Sequence, residues 1–204
     1  MLNLDLFKII DEEKNILSYG CNQLWYHTEW QRRAGCGPSV VSNIFIYLFH
    51  HYFFCTNNAI SKSWALLVME EVWDYVTPSM RGVNTTKMLF DGAAGYAQSK
   101  SLTLNYSFLD IPNDNRLRPK MDEIIEFIEK GLAKNTPIAF LNLCNGKEAR
   151  LYRWHWVTLV RLIVDQNYSH IMADILDDGK LFSIDLGLWV DTTTLGGGFV
   201  YFYK

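Results

Sequence analysis

The chain opens its longest apolar stretch after Gly35-Cys36-Gly37-Pro38, with SVVSNIFIYLFHHYFF. Val40, Val41, Ile44, Phe45, Leu48 and Phe49 cover more than one stripe of a helix, and Ile46 and Tyr47 fill the remaining arc. A helix apolar nearly all round is a buried one. Pro38 suits its first turn, where the missing N–H would be unpaired in any case. A second helix is predicted over 61–76, with Trp64, Leu67, Val68, Val72 and Val76 on one face. A third follows Asn84, a good N-cap, through Tyr96 and Ala97. The plainest amphipathic pattern spans 119–133, where Ile124, Ile125, Ile128 and Leu132 share a face and acidic residues crowd the first turn.

The second half of the chain turns to strand patterns, at 102–108, 137–144, 154–164, 170–176, 180–186 and 198–203. Asp165-Gln166-Asn167 and Asp178-Gly179 are turn signals between neighbours, which predicts an antiparallel meander. Helices first and strands after make an α+β chain, with a central buried helix packed on a C-terminal sheet.

The length of 204 residues suits a single domain spanning 1–204, able to bury roughly 70% of its unfolded surface. No repeat, low-complexity tract or linker divides it. Hydrophobic residues make up 49% and charged residues 20%, a globular balance that excludes general disorder. Aromatic content is 15%, with seven Trp, which implies a heavily packed interior and a possible apolar cleft. The net charge of −3 supplies no broad basic field, so neither nucleic acid nor an anionic lipid surface is the expected partner. The run 40–54 carries Ser42, Asn43, His50 and His51, and is too short and too polar to span a bilayer. The N-terminus lacks the cationic start and apolar core of a secretory signal, which points to a cytoplasmic protein. Cys21, Cys36, Cys55 and Cys144 form no C-x-x-C pair and have no His at zinc spacing, so neither a metal nor another cofactor is expected.

Among the four cysteines Cys36 stands apart. At a helix N-terminus a thiol meets the positive end of the dipole and free backbone N–H groups, both of which favour the thiolate. Gly35 and Gly37 leave the sulfur uncrowded, and the Cys36 N–H could donate to an oxyanion. A nucleophilic Cys needs a base. His50 and His51 lie turns away along the central helix, His27 falls in a loop close by in sequence, and His170 follows a turn and faces solvent. His155 opens the apolar strand between Trp154 and Trp156, where it reads equally as a core histidine or as a base in a partly desolvated cleft. The aromatics Trp25, Trp30, Trp154 and Trp156 are candidates for lining such a cleft, or for the core.

Gly-Cys-Gly-Pro-Ser at a buried helix start, followed more than a hundred residues later by His-Trp-Val-Thr-Leu-Val, resembles the papain-like cysteine peptidase superfamily. The nearer likeness is to its bacterial branch typified by double-glycine leader peptidases and their stand-alone relatives. Gly20-Cys21-Asn22-Gln23-Leu24-Trp25, Ala34 to Pro38, Asn43 and Tyr47 carry this likeness, as do Phe182-Ser183-Ile184-Asp185, Gly196-Gly197-Gly198 and Tyr201. It covers 18–204. The Cys-Gly-Ser-Cys-Trp signature of the eukaryotic branch is missing.

The resemblance implies a papain-like fold, Cys36 as nucleophile and His155 as base, acting on a peptide or protein substrate by acyl transfer. It further implies an Asn or Asp on the strand after the His strand, to orient the imidazole. Asp174 is preferred, because a carboxylate inside the apolar run 170–176 needs a partner. Asp177 is second, since it reads as a turn residue. The family's oxyanion Gln corresponds to Gln31, five residues before Cys36, or to Gln23 further back. Three alternatives compete with a hydrolase: a transglutaminase- or amidase-type acyltransferase with the same dyad, an inactive binding module on the same scaffold, and a structural protein with a buried Cys.

Overall fold

The computed structural model describes residues 1–53, 59–165 and 170–204, apart from the side chains of His51 and Phe53. In chain order its elements are β1 (Lys8–Asp11), β2 (Ile16–Tyr19), α1 (Glu29–Ala34), α2 (Cys36–Phe53), β3 (Ile60–Ser61), α3 (Lys62–Trp73), α4 (Thr86–Ser99), β4 (Asn105–Ile111), α5 (Met121–Ala133), β5 (Ile138–Asn142), β6 (His155–Val164), β7 (Ile171–Asp177), β8 (Lys180–Asp185), α6 (Leu186–Thr192) and β9 (Gly197–Tyr203). The architecture is α+β: helices against an antiparallel sheet of order β4-β9-β5-β6-β7-β8. No helix of the described residues is long and apolar enough to cross a membrane.

The meander from β5 to β8 follows the expected neighbours. The last strand does not extend it. β9 inserts between β4 and β5, pairing Phe199 with both Leu109 and Phe140. Alternation along these strands then serves two cores. Ala139, Leu141, Trp156, Val200 and Phe202 face α2, α3 and α4. Ile138, Phe140, Val157, Phe199 and Tyr201 face the opposite way, toward α5 and α6. A sheet buried on both faces explains why β5 is apolar at nearly every position.

Helix α2 is buried around its whole circumference, from Val40 and Val41 through Ile44, Phe45, Ile46, Tyr47 and Phe49. Two of its buried polar residues tie it to distant parts of the chain. The Asn43 carboxamide accepts from the Cys21 N–H at 2.7 Å and donates to Thr158 Oγ1 at 3.0 Å, tying the chain before α1 to β6. Tyr47 Oη accepts from the Asn3 N–H and donates to Asn135, anchoring both the N-terminus and the end of α5.

Several expectations are corrected. Residues 8–19 form a hairpin within a small sheet of order β2-β1-β3, where the first half had read as helical. On α3 the inward face is Ala65, Val68, Met69 and Val72, and Leu67 is exposed. The N-cap of α4 is Thr85, whose hydroxyl accepts from the Met88 N–H, in place of Asn84. The strand expected at 102–108 runs three residues later. The chain leaves β8 into α6, capped by the Asp185 carboxylate on the Leu188 N–H. The Asp178-Gly179 turn forms as expected, both residues at positive φ (46° and 75°), the geometry of a two-residue hairpin. The turn expected at Asp165-Gln166-Asn167 and the thiol of Cys55 fall outside the described residues.

Candidate active site

Cys36 is the first residue of α2, and the helix begins there because Gly35 lets α1 and α2 meet at a corner. A Cβ on Gly35 would lie 2.5 Å from the Gln31 carbonyl oxygen and 2.6 Å from the Tyr26 ring. Tyr26 is itself pinned, its hydroxyl donating to the Met69 carbonyl. Gly37 is set by packing as well. Its missing side chain leaves room for Val83, which a Cβ would meet at 3.0 Å. Val83 belongs to the segment after a tight turn at Ser79–Gly82, and its carbonyl accepts from the Trp156 indole. Both glycines therefore shape the protein around the sulfur, rather than only clearing space for a substrate.

His155 opens β6, and Asp177 closes β7. In an antiparallel pair the start of one strand lies beside the end of the next. His155 Nε2 is 2.7 Å from Asp177 Oδ1, and both side chains are buried. Cys36 lines the same small cavity as the imidazole, and each of the two groups shifts the other toward its charged form. With Nε2 committed to Asp177, Nδ1 is the nitrogen left for the sulfur. The Tyr152 ring packs edge-on against the imidazole, with centroids 5.8 Å apart.

The electrostatics follow from these contacts. Burial pushes the Cys36 thiol up, but the imidazole, together with the Trp156 and Gly37 N–H groups, outweighs it, and the thiol lies below its ordinary range. Burial disfavours the His155 imidazolium, yet hydrogen bonds and charge from Asp177 and Cys36 hold it well above the usual histidine range. Opposite shifts in an interacting pair favour thiolate and imidazolium together. By contrast, burial alone acts on Cys21 and pushes its thiol far up. Cys144 lies near 7, lowered first by the Thr194 hydroxyl, then by the Thr194 and Gly146 N–H groups.

Asp174, the preferred partner of His155, is not beside it. It sits opposite Arg161 on β6, three residues from Asp177, roughly 10 Å along the strand. Its carboxylate takes the Arg161 guanidinium and the Ser183 hydroxyl. The requirement for a partner held, but the partner is Arg161.

Gln31 is likewise engaged elsewhere. It forms a capping box with Thr28 at the start of α1, and its amide N–H donates to Glu70. Gln23 instead lines a small cavity of about 10 Å³ with Cys21, Cys36, Ser39, His155 and Asp177. Its Oε1 is buried with no hydrogen-bond partner among the described residues. The loop bearing it is stitched to the β7–β8 turn: Asn22 donates to the Asp178 carbonyl, and the Tyr19 N–H to that of Gly179. A cavity of that size admits about one water or one oxygen atom.

Of the other histidines, His27 and His170 are exposed and His50 is buried within α2. None of the three lines the cavity at Cys36. Among the described residues no group of three or more His, Cys, Asp or Glu is arranged to hold a metal ion.

The sulfur also borders a larger cleft of about 530 Å³. Trp30, Arg33 and Ala34 of α1, the turn from Met80 to Asn84, Leu141, Leu143 and Trp154 form its walls. Trp154 holds a left-handed φ of 56°. Trp156, by contrast, is core, and Trp25 is partly buried against that same core. The turn 79–84 was not anticipated as part of any site; the only sequence signal for it was Gly82, which takes a φ of 73°.

No protein-family model matches the chain, and a search of the curated proteins returns no match either.

Proposed function

We propose that the chain is a papain-like cysteine hydrolase that cleaves a peptide or amide bond by acyl transfer. The observation that carries this reading is that Cys36, at a helix start, shares one small cavity with the hydrogen-bonded pair His155 and Asp177, with thiol and imidazole shifted toward their charged forms. A thiol serving only as packing has no need of such a partner.

The Cys36 thiolate attacks the carbonyl carbon, and the carbonyl electron pair moves onto oxygen. The Cys36 N–H and the Gln23 amide are the donors proposed for that oxyanion. Gln23 is favoured by its unpartnered carboxamide end in the cavity beside Cys36, since the two ends of an amide are nearly interchangeable in shape. The tetrahedral adduct collapses, the C–N bond breaks, and imidazolium gives its proton to the leaving amine. Neutral His155 next takes a proton from water, the hydroxide attacks the thioester, and Cys36 leaves as thiolate with the imidazolium restored. Asp177 stabilises that imidazolium and holds the ring so that Nδ1 faces the sulfur.

The test is alkylation of each cysteine by iodoacetamide across pH, resolved by mass spectrometry. Cys36 should react rapidly far below the ordinary thiol range of about 8.5, and His155→Ala should return it to that range. An ordinary Cys36 titration in the wild type overturns the reading.

A further inference from the structure

The large cleft beside Cys36 has an uneven lining. Three big apolar side chains rim it with much of their surface in solvent: Trp30 (44% exposed), Met80 (91%) and Trp154 (49%). Leu141 and Leu143 add further apolar lining. Its charged residues are both cationic, Arg33 and Arg81, although the chain as a whole is acidic.

The two arginines differ from their neighbour Arg32, whose guanidinium donates to the Tyr26 and His27 carbonyls and is part of the framework. Among the described residues Arg33 is paired only with Glu29, one turn back on α1, and both side chains are largely exposed. Such a pair is weak and leaves the guanidinium able to share another anion. Arg81 has no ion-pair partner among the described residues. It is nonetheless held at the rim, because its backbone N–H donates to Ser79 Oγ and the turn closes with two Ser79–Gly82 backbone bonds.

The cleft does not end at the arginines. A second cavity of about 660 Å³ shares Asn84, Leu141, Leu143 and Trp154 with it and runs on past Thr86 and Asp110. A groove open in that direction suits an extended chain passing through. A carboxylate meeting the arginines is then a side chain, not a chain terminus.

Resting on the hydrolase reading, we infer that this cleft selects extended peptides bearing an Asp or Glu side chain flanked by large apolar residues, with Arg81 the specificity-determining residue and Arg33 assisting. Guanidinium and carboxylate form charge-assisted, often bidentate pairs, and aromatic walls strengthen them by excluding water.

The experiment measures protection of Cys36 from iodoacetamide by peptides of one scaffold, Ac-Leu-Phe-Xaa-Leu-Phe-NH2, with Xaa as Glu, Gln or Lys. A fourth peptide carries Gln and a free C-terminal carboxylate. Initial alkylation rates give the half-protecting concentration, normalised to each variant's own unprotected rate. In the wild type the Glu peptide should protect at about tenfold lower concentration than Gln, with Lys weakest, and about 0.5 M NaCl should narrow the gap. Arg81→Gln should shrink the Glu preference to about threefold or less, and Arg81→Lys should keep part of it. Equal protection by Glu and Gln, or a preference that survives Arg81→Gln, overturns the assignment. Best protection by the free-acid Gln peptide overturns it in favour of a terminal carboxylate. If wild-type Cys36 reacts as an ordinary thiol in the absence of peptide, the hydrolase reading itself fails, and this one falls with it.

Discussion

His155 Nε2 and Asp177 Oδ1 are 2.7 Å apart, while Asp174, three residues earlier on the same strand, faces Arg161 and Ser183. The two carboxylates are both buried, and their removal should have different effects. Asp177→Ala leaves the imidazolium without its counter-charge, so Cys36 alkylation at about pH 6 should fall at least tenfold. Asp174→Ala should leave that rate within about twofold and instead lower stability by roughly 1–3 kcal/mol, since it strands Ser183 and the half-buried Arg161. Alkylation rates and denaturant midpoints on the two variants check this. Equal loss of reactivity in both would mean that Asp177 acts only through the fold.

Cys144 supplies a second prediction, because its thiol near 7 competes with Cys36 for any thiol reagent. The Thr194 hydroxyl is 3.2 Å from its sulfur and is the largest cause of the shift. A depressed pKa means that the thiolate gains in the folded state and is lost as pH falls through about 7. Cys144 alkylation should therefore rise through neutrality with a midpoint near 7, and Thr194→Val should move the midpoint upward. Cys36 should remain reactive below that midpoint. A Cys144 midpoint unmoved by Thr194→Val would assign the shift to the backbone N–H groups alone.

The glycines around Cys36 make a third. Gly35→Ala drives a methyl into the Gln31 carbonyl at 2.5 Å, which backbone cannot yield cheaply. It should cost roughly 1–3 kcal/mol, read as a drop in the denaturant midpoint. Gly37→Ala meets only side-chain atoms of Val83, at 3.0 Å, a longer contact than the 2.5 Å to backbone at Gly35. Its main effect should be on the cleft, seen as altered peptide protection of Cys36 with a smaller loss of stability. The reverse ranking would show that the 79–83 wall is the more rigid of the two.

What could be read from the chain and what could not divide along physical lines. The buried helix behind Cys36 was legible because a residue apolar on every side has one environment. The order of β6, β7 and β8 was legible because short connections leave only the neighbouring strand within reach. β9 was recognisable as a strand, but its place depends on which partners have both faces buried, a property of the whole sheet. Cys36 and His155 were legible as candidates from local chemistry. The third residue was not: burial of Asp174 signalled a partner without naming it, and Asp177 looked like part of a turn until the turn lay beside the start of β6. Gln31 shared this fate, since Thr28 with Gln31 is a capping box and competes with any role at the thiol. The cleft wall at Met80 and Arg81 carried almost no signal, because a short exposed turn leaves no periodic pattern.

The position of β9 bears on when the surroundings of Cys36 can form. Val200 and Phe202 belong to the core on which α2 rests, so the helix carrying Cys36 lacks part of its seat until this strand is in place. During synthesis α2 and the β5–β8 meander emerge first and must wait for it. The place of Cys36 beside His155 is then fully supported only once the sheet closes, so a chain caught halfway through folding presents a thiol on an incompletely seated helix.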